Sequence, residues 1–109
     1  MAIQTTANPA EAKSSNLFDV SCKTTEACVS VGSDTLATGS TVTLAGSWNG
    51  KEWSIQTTPN PTEAKSSILS GVSCATAESC IAVGRYINSL GATVTLAESW
   101  SGKEWATQT

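Results

Sequence analysis

The segment Val20–Trp53, VSCKTTEACVSVGSDTLATGSTVTLAGSWNGKEW, returns 52 positions later as Val72–Trp105, VSCATAESCIAVGRYINSLGATVTLAESWSGKEW. Aligning Ile3–Ser54 with Ile55–Ala106 gives 32 identities over 52 positions without a gap. The chain is therefore one unit used twice, divided at 1–54, which carries an N-terminal strand segment, and 55–109. A repeat of this length cannot bury its own apolar faces alone. It needs a neighbouring repeat to cover it.

Each unit reads as short strands. In the first copy they are expected at Leu17–Cys22, Cys28–Ser33, Thr41–Trp48 and Lys51–Thr58. TVTLAGSW is the clearest of them, because Thr and Val suit a pleated, half-buried surface. Asn49-Gly50 predicts a type I′ hairpin turn, and Ser101-Gly102 is its weaker counterpart. Ile3–Thr6 is a further β-prone segment, ended by Asn8-Pro9 because proline cannot donate to a ladder. Glu11–Ser15 is too short to stand as a helix and is expected to be a crossing loop. No segment holds a 3.6-residue period over three turns, so helical repeats are excluded. Charged residues make up only 14% of the chain, which leaves no room for the charged faces of surface helices. The fold class expected is all-β.

Four strands joined as a meander, followed by a Pro-containing link to the next four, suggest a β-propeller blade. A β-trefoil-like lobe is the alternative. The pattern V-S-C-x5-C-x-x-V-G, then T-V-T-L-A-x-S-W-x-G-x-x-W-x-x-Q-T-x-x-N-P, resembles the tandem blades of predicted secreted bacterial, especially actinobacterial, β-propeller proteins. The resemblance spans nearly the whole chain. It implies the propeller fold and supplies no defined activity. Two blades cannot close a ring, since propellers use roughly four to eight. The expected partner is therefore the chain itself, in a cyclic homo-oligomer, with a trimer favoured over a tetramer. An excised or engineered two-blade protein would fit the near-identity of the copies and the Met-Ala start.

Four cysteines allow three pairings. The repeat and the short hairpin favour Cys22–Cys28 and Cys74–Cys80, which implies an oxidising compartment and a secreted parent. Met1-Ala2-Ile3 has no basic start and no apolar signal region, so this chain is expected to be a piece of any exported protein. No apolar run approaches the length of a membrane span. The net charge of −3, with six scattered basic residues, argues against nucleic acid.

Without histidine, Ser-His triads and His bases are ruled out. No facing carboxylate pair, phosphate loop or calcium loop is evident, so no enzyme activity, metal or cofactor is expected. The reading is a non-catalytic self-assembling scaffold or interaction module. The alternative is a lectin-like propeller with one sugar site per blade. Trp48, Trp53, Trp100 and Trp105 form two pairs. Trp48 and Trp100 are expected to be the more buried, since Trp48 shares strand parity with Val42 and Leu44. Trp53 and Trp105 are expected to be partly exposed. They are candidate glycan or protein contacts, with Arg85, Tyr86 and Asp34 on the variable loop expected where the copies differ most, 33–38 against 85–90.

Overall fold

A computed structural model describes residues 12–56, 58–61, 64–76 and 78–108. The strand expected at Ile3–Thr6 lies outside the described residues. The chain forms β1 (Ala12–Thr24), β2 (Ala27–Leu36), β3 (Thr41–Trp48), β4 (Trp53–Gln56), β5 (Ser66–Thr76), β6 (Ser79–Ile87), β7 (Thr93–Trp100) and β8 (Trp105–Gln108). β1 to β4 make one antiparallel meander and β5 to β8 a second. A single parallel bridge, Thr41 to Ser66, joins them into one open eight-stranded sheet. The all-β class is as expected.

Three local expectations are corrected. Ala12–Ser15 is not a crossing loop: it begins β1, with Ala12 opposite Leu36 and Ser15 opposite Asp34. β2 runs on to Leu36 and needs a partner along its full length, and this segment provides it. The turn after β3 is not a two-residue hairpin. Trp48 pairs with Trp53, leaving a four-residue loop. The side chain of Asn49 accepts from the N–H groups of both Lys51 and Glu52, replacing the turn's backbone acceptor. Asp34, Arg85 and Tyr86, expected on a variable loop, lie within β2 and β6. The loops that follow, Ala37–Ser40 and Asn88–Ala92, differ in sequence but share one closure. Leu36 N–H donates to Ser40 O, and Asn88 N–H to Ala92 O. Gly39 and Gly91 supply the positive φ each needs.

Residues opposite one another in an antiparallel ladder share a face. The register therefore sorts each meander into two faces. One carries Asp19, Ser21, Val29, Val31, Ala45 and Gln56 in the first repeat, and Gly71, Ser73, Ile81, Val83, Ala97 and Gln108 in the second. We call it the valine face. The other, the tryptophan face, carries Leu17, Val20, Cys28, Leu44 and both indoles of the first repeat, and their equivalents in the second. The core forms where the first repeat's valine face meets the second repeat's tryptophan face. Val29, Val31 and Ala45 pack there with Leu69, Cys74, Cys80, Ala82, Leu96 and Trp105. β5 starts beside Thr41 of β3 and reaches Asp19 and Ser21 of β1, so it crosses the first meander.

Candidate functional site

The seam between the repeats is where the chain concentrates its polar recognition. β1 and β5 lie edge to edge without laddering, and β1 side chains serve the exposed backbone of β5. The carboxylate of Asp19 is divided: Oδ1 accepts from its neighbour Val20 N–H, and Oδ2 from Val72 N–H, each at 2.9 Å. Ser21 Oγ accepts from Cys74 N–H at 3.2 Å. At the opposite edge, Trp105 Nε1 donates to Gln56 Oε1 at 2.8 Å. These three contacts link β1 and β4 of the first repeat to β5 and β8 of the second, so both edges of the joint are pinned by hydrogen bonds.

The cysteines close as Cys22–Cys28 and Cys74–Cys80, each directly across a ladder position. The second bridge lies in the core, while Cys22 is exposed. Two disulfides point to an oxidising environment. Each indole pair stacks tilted with centroids 5.7 Å apart, but the pairs differ in exposure. Trp105 is 5% exposed, whereas Trp48, Trp53 and Trp100 are half-buried. The expectation of a partly exposed Trp105 is therefore corrected: the first repeat's valine face covers it, and strand parity alone could not say which repeat would be covered.

Arg85 and Tyr86 are adjacent in β6 and so point to opposite faces. Arg85 is exposed on the valine face, and Tyr86 is half-buried on the tryptophan face, packed against the core. Asp34 is buried rather than presented to solvent, and its Oδ1 has no hydrogen-bond partner. These candidate contacts do not form one cluster.

Glu98 was not marked out by sequence reasoning. It is fully buried on the second repeat's tryptophan face, and neither carboxylate oxygen has a hydrogen-bond partner. Burial alone pushes its carboxyl up from 4.5 to about 7. A signal was available: Glu98 shares strand parity with Val94, Leu96 and Trp100, the phase that faces inward. Its counterpart in the first repeat is Gly46.

A groove of about 510 Å³ opens on the first repeat, lined by Val20, Cys22, Cys28, Trp48 and Trp53 with Lys23, Thr24 and Thr25 at its rim. On the second repeat the equivalent surface includes Cys74 and Trp100. There Ser21, Val29, Ser47 and Gln56 of the first repeat lie over it, with Lys23, Glu26, Cys28 and Trp48 at one end, leaving a pocket of about 310 Å³. Among the described residues, no group of three or more His, Cys, Asp or Glu side chains is placed to hold a metal. No family model, curated protein or solved structure matches this chain.

Proposed function

We propose that this chain is a non-catalytic scaffold whose two repeats act as β-propeller blades and associate with further copies into a ring. One observation carries the reading. Each face occurs twice in the chain. The valine face is covered in the first repeat and bare in the second. The tryptophan face is covered in the second repeat and bare in the first at its Leu17–Val20 edge, while Ser30, Asp34 and Leu44 are buried. On the valine face, Val31 is 0% exposed and its counterpart Val83 is 51% exposed. On the tryptophan face the order reverses: Leu69 is 0% exposed and Leu17 is 46% exposed. A further repeat would cover both bare faces by the contact the chain already makes internally. Bare apolar faces of this kind mark association surfaces. For this chain, the repeat at hand is a second copy.

Such a contact is heterologous, so it generates a ring when the rotation closes. Three chains supply six blades and four supply eight, both within the usual propeller range. The trimer is the favoured assembly, by its smaller number of joints. The propeller resemblance of the V-S-C and T-V-T-L-A motifs supports the same reading. Light scattering at micromolar concentration is expected to give a mass near three times the 11.2 kDa chain. A mass of one chain would sink the proposal.

A lectin-like module is a second reading, favoured by the groove beside Trp48 and Trp53. Burial of Trp105 leaves the matching surface of the second repeat covered, which weakens the case for one sugar site per repeat. Titration of a simple sugar with a tryptophan fluorescence readout separates the two readings.

A further inference from the structure

Resting on the assembly reading above, we infer the joint between copies: the Ile81–Val83–Arg85 face of one chain seats on the open Trp48–Trp53 groove and the Leu17–Val20 edge of the next.

The internal seam is the template. Inside the chain, Ser21, Val29, Ser47 and Gln56 of the first repeat roof the surface that includes Cys74 and Trp100. At the 52-residue offset, those roofing positions are Ser73, Ile81, Ser99 and Gln108 in the second repeat. Ser73, Ile81 and Gln108 are exposed, and Ser99 is half-buried. The surface to be roofed becomes Val20, Cys22, Cys28, Trp48 and Trp53, which is the open groove. So the chain presents an uncovered donor face and a receiving groove open at one end, each repeating most residues of a surface already joined within it. The receiving face is open at this cysteine–tryptophan end and at Leu17, and is closed at Ser30, Asp34 and Leu44.

One substitution in the repeat also fits. The internal joint needs Asp19 to accept from Val72 N–H, while the donor face of the second repeat has Gly71 at that position. The receiving equivalent of Val72 is Val20, whose N–H is already taken by Asp19 Oδ1 of its own chain. The incoming copy therefore needs no carboxylate there.

The test is a mixing experiment with one face disabled at a time. Val83→Asp disables only the donor face, and Val20→Asp only the receiving groove. Both positions are exposed, and circular dichroism checks that each variant folds. If either fails to fold, Ile81→Asp and Leu17→Asp replace them. Each variant alone is expected to be monomeric. An equimolar mixture is expected to give a one-to-one dimer of twice 11.2 kDa, because one donor face and one groove remain intact. If Val20→Asp and Leu17→Asp leave the wild-type mass unchanged, or the mixture stays monomeric while wild type assembles, this joint is wrong and the assembly reading survives. If wild type is itself monomeric, both fall.

Discussion

Trp105 Nε1 donates to Gln56 Oε1 at 2.8 Å, joining residues 49 apart in sequence across the seam. The indole is buried at 5% exposure, and Gln56 supplies the acceptor for its N–H. Gln108 is the repeat counterpart of Gln56, is exposed, and sits on the bare valine face. The same residue type thus occupies a joined and an unjoined version of one surface.

Gln56→Leu is therefore expected to destabilise the chain by about 1–2 kcal/mol, the cost of leaving a buried donor unsatisfied. Gln108→Leu is expected to stay within about 0.5 kcal/mol in the unassembled chain. Urea denaturation midpoints for the two variants, measured on the Val83→Asp background, check the difference. Equal effects would show that the indole bond contributes nothing distinctive.

How much of this was legible in sequence depended on whether local pattern or neighbouring structure decides a residue's state. β3 was readable to the residue, because TVTLAGSW is β-prone throughout and bounded by turn residues at both ends. The pentapeptide Glu-Ala-Lys-Ser-Ser shows the limit. In the first copy its Ala12–Ser15 portion is strand, but in the second Ala64 and Lys65 precede β5, and Ala64 N–H closes a turn onto Pro61 O. Identical local sequence gives two conformations because different partners lie alongside. The exposure of Trp53 and Trp105 follows the same logic: the sequence makes them equivalent, and position in the stack makes one buried. Glu98 is different, since its inward phase was readable and only its charge argued against burial.

The two disulfides should differ in accessibility. In the chain-entropy model each closes a small loop and stabilises by about 2 kcal/mol. Cys22 is exposed, whereas both cysteines of the Cys74–Cys80 bridge lie in the core. Limiting reductant followed by alkylation and mass spectrometry is expected to label Cys22 and Cys28 before Cys74 and Cys80 in the unassembled chain. Simultaneous labelling would mean that reduction proceeds through global unfolding.

Gly32 and Gly84 mark the Val-Gly that both repeats keep. A Cβ at Gly32 would overlap the carbonyl oxygen of Asn16, and one at Gly84 that of Ile68. The obstacle in each case is backbone of the adjacent strand, next to a register shift in the ladder, so it cannot rotate away. Gly32→Ala and Gly84→Ala are each expected to cost about 3 kcal/mol, at the upper end for overpacking. Gly91→Ala differs: a Cβ meets nothing there, and the cost comes only from its positive φ, about 1 kcal/mol. Thermal unfolding of the three variants should rank them in that order.

The Glu98 carboxyl gives the stability of the chain a definite pH dependence. In the unfolded chain it ionises near 4.5, and in the folded chain only near 7. Below both values the group is neutral in either state and carries no charge penalty. Between them the folded state holds the proton and the unfolded state does not, so stability falls as pH rises. Above about 7 the full penalty applies, because ionised Glu98 is fully buried and both of its oxygens lack hydrogen-bond partners. Across the window from 4.5 to about 7, at about 1.4 kcal/mol per pH unit, the loss is of order 3 kcal/mol. Glu98→Gln keeps the shape and removes the titration. It is expected to match wild type near pH 4 and to exceed it by about 3 kcal/mol at pH 8, read from denaturant midpoints on the Val83→Asp background. Glu98→Leu should gain more at pH 8, since it also removes the unsatisfied polar atoms. Equal pH profiles for wild type and Glu98→Gln would show that the carboxylate finds water or a cation in the folded state, and that the seam is open there.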